Sequence, residues 1–332
     1  MSAIATLPDA WYTDPAVLER ERATILRAGW QYIGSAAEVS EPGSFMAADL
    51  AGLPIVVTRD TDGALHGLVN VCRHRGALVA EGCGRRKTLQ CRYHGWTYRL
   101  DGTLHRSPGM DAPDDVRLPA IGVATLGPLL FATADPDPEP LEAVLAPFLA
   151  MLRDVAHVEA EGLVLRRRVE HRIEANWKVV VENFIECYHC PLVHSETLPG
   201  FGGDDYRVGQ FGPLHTQELD AQEFCFAYLY PATQLSAYGR EGAFVARAIV
   251  PDGHRATRVA LDYWFAPDAD DAAADAYVDW FERVIGEDVP LCESVQVGLE
   301  SGALPQGLLN PNAESGLAEF QRLVAAGLDE PL

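Results

Sequence analysis

The sequence contains no apolar run approaching twenty residues, so no segment of it is expected to span a membrane. Its first residues, MSAIATLPDAWYTDP, lack the basic and apolar regions of a secretory signal peptide. No stretch has the GxGxxG spacing of a dinucleotide-binding loop, so a flavin or nicotinamide cofactor is expected on a separate protein. We therefore predict a cytoplasmic protein with no membrane partner.

Basic residues and cysteines are both scarce. The 26 Lys and Arg residues are outnumbered by 48 Asp and Glu residues, and the net charge of −22 argues against a nucleic acid partner, whose phosphates would be repelled. Seven cysteines is an odd number without the spacing of a disulfide framework. In a reducing compartment, clustered cysteines indicate metal or redox chemistry more than disulfides. The 332 residues are enough for two domains with buried cores.

Three of the cysteines lie in the stretch CRHRGALVAEGCGRRKTLQCRYHGW. It holds a CxH pair, Cys72 and His74, and sixteen residues later a CxxH pair, Cys91 and His94. Two thiolates and two imidazoles suit either zinc or a Rieske [2Fe–2S] cluster. Each half supplies one Cys and one His, which favours the two-iron cluster, and a structural zinc loop is the alternative. Cys83 fits neither half and is interpreted as a buried or free thiol.

A second candidate metal site lies in EANWKVVVENFIECYHCPLVHSETL, residues 174–198. Apolar residues recur there at helical spacing, and the predicted helix carries Asn183, Glu186 and His189 along one side. His194 follows His189 by five residues, which an unbroken helix would place on another face. We expect Pro191 to break the helix between them and to let His194 return to the same site.

Two histidines need one carboxylate to form the iron site of non-haem Fe(II) oxygenases. The stretch IGEDVPLCESVQVGLESG offers Asp288, which extends the apolar stripe of a predicted helix by one turn. A carboxylate directed toward a core needs a partner or a metal. Because Pro290 is typical of a helix start, Asp288 as an N-cap is the alternative.

Together these motifs resemble the catalytic α subunit of Rieske non-haem iron oxygenases, the family of ring-hydroxylating dioxygenases and related demethylases. The resemblance spans nearly the whole chain. It rests on CxHx16CxxH at Cys72 to His94, NWKxxxEN at Asn176 to Asn183, ExxHx4H at Glu186 to His194 and EDxxxxE at Glu287 to Glu293. It implies a terminal oxygenase that uses O₂ and electrons from NAD(P)H, delivered by a separate flavin and iron–sulfur reductase or a ferredoxin.

The resemblance also implies roles for individual residues. The [2Fe–2S] cluster would be held by Cys72, His74, Cys91 and His94, and the mononuclear Fe(II) by His189, His194 and Asp288. In such proteins the cluster of one subunit lies beside the iron of its neighbour in a homotrimer. An acidic residue, usually Asp, links the two sites, and here that residue would be Glu186. Asn183 would lie near the iron.

The expected fold is α+β, with a mostly-β Rieske domain and a catalytic domain that has an antiparallel sheet flanked by helices. We expect an N-terminal helical segment at 1–34 that packs on the catalytic domain, the Rieske domain at 35–155 and the catalytic domain at 156–332. Asp14 and Pro15 should start a helix that ends near Gly29. Further helices are predicted near 174–190, 271–286 and 314–327, and strands near 222–230, 242–250 and 256–265.

One short motif of the sequence indicates a class of substrate. ECYHCPLVH resembles the version found in family members that oxidise quaternary ammonium compounds, which favours hydroxylation or N-demethylation of such a cation over hydroxylation of an aromatic ring. A methylated cation needs aromatic faces around it. The candidates are Phe211, Phe224, Phe226, Tyr228, Tyr230, Tyr238, Phe244, Tyr263 and Trp264. A Rieske electron carrier or a zinc-stabilised binding protein without oxygenase activity is the alternative from another class.

Overall fold

The chain forms two units in a computed structural model, which describes residues 3–203 and 205–330. One unit is Arg27–Leu141, and the other combines the residues up to Leu26 with the chain from Glu142 onward. The units therefore separate after residues 26 and 141, whereas the sequence placed the limits after residues 34 and 155. None of the helices in the described ranges has the length and apolarity needed to cross a membrane.

The strands of the described residues are between two and ten residues long. They are β1 Ile4–Ala5, β2 Gln31–Ser35, β3 Ser44–Leu50, β4 Leu53–Arg59, β5 Leu65–Val69, β6 Cys83–Arg85, β7 Leu89–Gln90, β8 Thr97–Tyr98, β9 Leu104–Arg106, β10 Ala120–Leu126, β11 Leu129–Thr133, β12 Val164–Ile173, β13 Arg207–Phe211, β14 Leu214–Leu219, β15 Phe224–Leu229, β16 Thr233–Tyr238, β17 Ala243–Pro251, β18 Thr257–Phe265 and β19 Leu308–Leu309. The helices are α1 Ala10–Thr13, α2 Pro15–Thr24, α3 Leu141–Met151, α4 Trp177–Phe184, α5 Cys190–Val193, α6 Asp271–Glu300 and α7 Ser315–Gly327.

The Arg27–Leu141 unit is mostly β, as predicted. Its larger sheet has the order β2-β11-β10-β5-β4-β3-β6, and a smaller sheet has the order β7-β8-β9. Asp-Gly turns connect β4 to β5 and β8 to β9, and Gly63 and Gly102 adopt φ values of 87° and 86° there. Such angles suit glycine because it has no Cβ.

The other unit contains a seven-stranded antiparallel sheet of order β12-β18-β17-β16-β15-β14-β13. The three predicted strands are present as β15, β17 and β18. The sequence missed β12, β13, β14 and β16. Successive side chains of these strands alternate between the two faces of the sheet. On one face Phe148 of α3 packs against Phe244 of β17, and the opposite face carries the candidate site together with α4 and α6.

Three helix predictions need correction. The helix predicted near 271–286 is longer, because α6 runs from Asp271 to Glu300. The helix that starts after Asp14 does begin there, and the Asp14 side chain accepts a hydrogen bond from the Ala16 amide at 2.8 Å, but it ends at Thr24 and not near Gly29. The helix predicted over 174–190 is also shorter, because α4 ends at Phe184. Glu186 and His189 therefore lie in an irregular turn, and Pro191 is in the first turn of α5 instead of breaking a longer helix.

Asp288 is not an N-cap. The cap of α6 is Asp270, whose side chain accepts from the Ala273 amide at 2.9 Å, and Asp288 lies deep inside the 30-residue helix. Pro290 is within the helix too. A proline removes one backbone donor but does not end a helix that tertiary packing holds in place. The cap alternative is therefore wrong.

A buried polar network explains the NWKxxxEN motif. The Lys178 ammonium donates to Glu21 of α2 at 2.6 Å, and the Trp177 indole donates to the same carboxylate at 2.7 Å. Glu182 accepts from Tyr12 at 2.6 Å. Buried charges require such partners, so the motif joins α4 to the N-terminal helices.

Candidate functional site

The two halves of the CxH and CxxH motif form equivalent turns. The Cys72 amide donates to the Ala77 carbonyl, and the Cys91 amide donates to the Trp96 carbonyl, both at 2.8 Å. Each turn is closed by a glycine with positive φ: Gly76 bonds back to the Cys72 carbonyl, and Gly95 bonds to that of Cys91, both at 3.0 Å. The sequence thus folds each ligand pair into a small loop of the same form.

The side chains of these loops fit a Rieske cluster. Cys72 and Cys91 are 3% and 2% exposed, whereas His74 and His94 are exposed, with ring centroids 4.6 Å apart. This separation into a buried sulfur pair and an exposed imidazole pair suits a two-iron cluster, in which one iron takes both thiolates and the other both imidazoles. Desolvation, helped by the nearby His74, lowers the pKa of His94 and favours the neutral form that binds metals. Cys83 is free and exposed.

The predicted second set of ligands also converges. His189 comes from the turn after α4, His194 from the end of α5 and Asp288 from the middle of α6. Asp288 Oδ1 lies 3.0 Å from His194 Nε2 and 3.4 Å from His189 Nε2. Ligand atoms at right angles around a metal, each about 2.1 Å from it, lie about 3 Å apart. The three side chains therefore match a two-histidine, one-carboxylate site.

Carboxylates hold the outer nitrogen of both imidazoles. His189 Nδ1 is hydrogen-bonded to the Glu186 carboxylate, and His194 Nδ1 lies 2.6 Å from Glu287 Oε2. Such bonds fix the tautomer and leave Nε2 free for a metal. The sequence indicated Glu287 only as part of the EDxxxxE motif. Its contact with His194 shows that it orients this imidazole.

The negative charge of the site favours a cation. Burial lowers the pKa of His189, but the hydrogen bonds that Asp288 and Glu186 accept from its ring outweigh burial and raise this pKa to about 9. His194 is affected in the same way, because Asp288 and Glu287 raise its pKa against burial. Three carboxylates around two imidazoles give an excess of negative charge that a divalent metal would offset.

Neighbouring polar groups complete the surroundings. Asn183 Nδ2 lies 3.5 Å from Asp288 Oδ1, and the Asn183 Oδ1 atom is buried without a partner among the described residues. Cys187 and Cys190, on either side of His189, form a disulfide that the sequence did not predict. Cys190 sulfur lies near both histidines, but a disulfide sulfur is not a thiolate ligand.

A cavity opens beside the three converging side chains. Three of the predicted cage residues, Phe224, Phe226 and Tyr238, line it on the sheet side. The other candidates do not line it: Tyr228, Phe244, Tyr263 and Trp264 are fully buried, Phe211 is 50% exposed, and Tyr230 contacts Phe320. The sequence missed Phe184, Phe201 and Phe281, which also line the cavity but come from helices and a loop without strand alternation.

Two family models match the chain. The model described as Rieske [2Fe-2S] domain matches residues 29–126. The model described as ring hydroxylating alpha subunit (catalytic domain) matches residues 160–223 and 213–330. Together they cover the candidate cluster ligands and the three converging residues.

Relatives are similar over nearly the whole chain. Chloroplastic choline monooxygenase from Arabidopsis thaliana is 32% identical over 91% of this chain and 78% of its own length. The carnitine monooxygenase oxygenase subunit of Escherichia coli K12 is 28% identical over 96% of this chain and 93% of its own.

Solved structures share the fold. The quaternary ammonium Rieske monooxygenase CntA in complex with L-carnitine superposes with a TM-score of 0.85 at 27% identity, over 98% of this chain and 96% of CntA. Naphthalene 1,2-dioxygenase from Rhodococcus sp. has a TM-score of 0.80 at 20% identity, over 98% and 95% of the two chains, and shares the fold alone. The chain therefore belongs to the Rieske non-haem iron oxygenases, as an α subunit with a Rieske [2Fe–2S] domain and a mononuclear-iron catalytic domain.

Proposed function

We propose that this oxygenase hydroxylates a C–H bond next to the nitrogen of a small quaternary ammonium compound, including oxidative N-demethylation. The observation that carries the proposal is the aromatic wall of the cavity, formed by Phe201, Phe224 and Tyr238, beside the two-histidine, one-carboxylate set. Phe224 packs against Phe201 and Tyr238, with ring centroids 4.9 Å and 4.8 Å away. Aromatic faces attract methylated ammonium ions. Named relatives act on choline and carnitine, which supports the same substrate class here.

The proposal includes the residues that would bind the two metal centres. Cys72, His74, Cys91 and His94 would hold the [2Fe–2S] cluster, and His189, His194 and Asp288 would hold the Fe(II). When bound, the iron supplies the site at which O₂ is reduced with electrons from the cluster. Side chains of the protein orient the ligands and the substrate. The imidazoles keep the tautomer imposed by Glu186 and Glu287, and the aromatic wall orients the cation and excludes water from the reacting carbon.

The proposed domains are an N-terminal segment on the catalytic domain, a Rieske domain and a catalytic domain, which the sequence delimits as 1–34, 35–155 and 156–332. The two compact units, which separate after residues 26 and 141, support this order of domains with earlier limits. The contacts of α1 with α6 and of α2 with α7 support the packing of the N-terminal segment. The protein would act as a homotrimer, in which Glu186 links the iron of one subunit to the cluster of its neighbour. A separate NAD(P)H-dependent reductase or ferredoxin would supply the electrons, because the sequence has no dinucleotide-binding loop of the GxGxxG type.

Substrate-dependent O₂ uptake tests the proposal. The protein, with a reductase and NADH, should consume O₂ and form a hydroxylated product or an aldehyde with compounds from a panel of betaines, carnitine and choline. Naphthalene, benzoate and phenols serve as the aromatic arm. Coupled product only from the aromatic arm would reject the ammonium substrate and favour ring hydroxylation. His189→Ala is the matched control, and O₂ uptake that is independent of both His189 and substrate would reject the oxygenase site.

A further inference from the structure

A buried arginine lines the same cavity as the candidate iron ligands. Arg247 is on β17, next to Gln234 of β16 in the sheet register, and its side chain points to the cavity face. It is only 6% exposed. Asp288 lines the same cavity from α6. An arginine in this position is rare, because burial of a guanidinium costs much free energy unless the charge is paired.

Arg247 has no ionic partner among the described residues. Its Nη1 donates to the amide oxygen of Gln234, and its Nε is buried without an acceptor. The nearby acids are engaged elsewhere: Asp288 by the two histidines, and Glu282 by His171 at 2.8 Å and by Tyr263. No carboxylate among the described residues therefore forms an ion pair with Arg247, and Asp288 and Glu282 act on its charge only as longer-range electrostatic attraction.

Aromatic rings hold the guanidinium in place. Its central carbon lies 4.4 Å from the centroid of the Phe184 ring and 5.5 Å from that of Phe281. These contacts and the Gln234 bond fix the orientation of the group but supply no negative charge. A planar guanidinium with a free Nε–H matches a carboxylate, which can accept two parallel hydrogen bonds from it.

We propose that Arg247 binds a carboxylate of the substrate, so that the substrate is a zwitterion with a quaternary ammonium group at one end and a carboxylate at the other. The inference rests on the proposed function and narrows it from ammonium compounds in general to betaine acids. The lining of the cavity is complementary to both charged groups of such a molecule. Carboxylates and the aromatic rings of Phe224 and Tyr238 favour the cation, and Arg247 favours the anion.

The groups that hold the guanidinium and the candidate iron lie on different turns of α6. Phe281, which packs on the guanidinium, and Asp288 lie seven residues apart on α6, a rise of about 10 Å. The metal and the reacting carbon occupy part of that length. Choline, which carries a hydroxyl in place of a carboxylate, leaves Arg247 unpaired, and an unpaired buried charge weakens binding.

Binding of an acid and its matched alcohol tests the inference without turnover. We would titrate the reduced holoenzyme under anaerobic conditions with γ-butyrobetaine and with 4-(trimethylammonio)butan-1-ol, using calorimetry. The parent should bind the acid about 30-fold or more tightly than the alcohol. Arg247→Met should reduce this ratio to about one. Arg258→Met, on an exposed arginine of the adjacent strand β18, should keep the parent ratio.

Gln234→Glu provides a second variant that retains Arg247. A carboxylate at the position of the Gln234 amide oxygen would pair with the guanidinium and should also remove the preference for the acid. Equal affinities for acid and alcohol in the parent, or an unchanged ratio in both variants, would overturn the inference. Benzoate tests a carboxylate without an ammonium group. If benzoate bound tightly to the parent and weakly to Arg247→Met, while γ-butyrobetaine bound to neither, the proposal of a zwitterionic substrate would be overturned. Each of these results is compatible with substrate-dependent O₂ uptake by the parent protein, whereas absence of uptake by the parent with every compound rejects the proposed function instead.

Discussion

Asp288 Oδ1 lies 3.0 Å from His194 Nε2, although 94 residues separate the two in the chain. Helix α6 brings the carboxylate under the turn that follows α4, where His189 also points. Glu287, the residue before Asp288, contacts the opposite nitrogen of the same imidazole. Adjacent residues of one helix thus hold both sides of His194.

Glu287→Gln should weaken iron binding while leaving the three ligands in place. The Glu287 carboxylate accepts from His194 and, at 2.6 Å, from Thr197, and an amide cannot serve both as well. Loss of such an outer partner typically costs about 10- to 100-fold in metal affinity. Fe(II) affinity measured by competition with a chelator checks this. Glu293→Gln, on the same helix, is the control, and equal affinities in parent and both variants would contradict the assigned role.

Glu186→Gln should retain both metal centres when Fe(II) is supplied in excess but slow coupled turnover by on the order of 10- to 100-fold. The carboxylate accepts from the His189 ring and the Tyr188 amide, and a neutral amide is a weaker acceptor for both. Glu186→Asp retains the charge and should keep more activity. The rate at which O₂ and substrate reoxidise the reduced cluster is the measurement. A parent-like rate in Glu186→Gln would show that electrons take another path.

The buried Glu182 should make stability depend on pH. Burial raises the pKa of this carboxyl to about 7, against hydrogen bonds from Tyr12 and Gln321 that lower it. Since the folded value exceeds the usual 4.5, the contribution of this group to stability is fully present below about pH 4.5. It is lost as the pH rises through about 7, with a total of about 3 kcal/mol.

Glu182→Gln should remove that pH dependence. Urea unfolding of parent and variant at several pH values between about 4.5 and 8 gives the difference in slope. The exposed Glu159→Gln is the matched control and should follow the parent. A variant with the parental slope would assign the pH dependence to other groups.

The ligands were predictable because their spacing is local, whereas their supporting residues were not. Cys72, His74, Cys91 and His94 sit in two short loops, so the motif itself carries their arrangement. Glu287 and Arg247 act through contacts with residues far away in sequence. An arginine inside a strand has no feature that distinguishes it from a surface arginine until the sheet register is known.

Helix limits were less predictable because tertiary contacts override local preferences. Pro290 is typical of a helix start, yet α6 continues through it. The apolar spacing before Phe184 favoured a helix to residue 190, but Glu186 bonds to the amides of Tyr188 and His189 and stabilises a turn instead. Acidic side chains compete with helix bonds in this way.

The iron content of Asp288→Ala tests the central claim most directly, because that claim is two separate metal centres with Asp288 in only one of them. Parent protein should contain about three iron atoms and two acid-labile sulfides per chain. Asp288→Ala should contain about two of each and retain the Rieske absorption and EPR spectra, while losing substrate-dependent O₂ uptake. Three iron atoms in the variant, or loss of sulfide together with iron, would contradict the account.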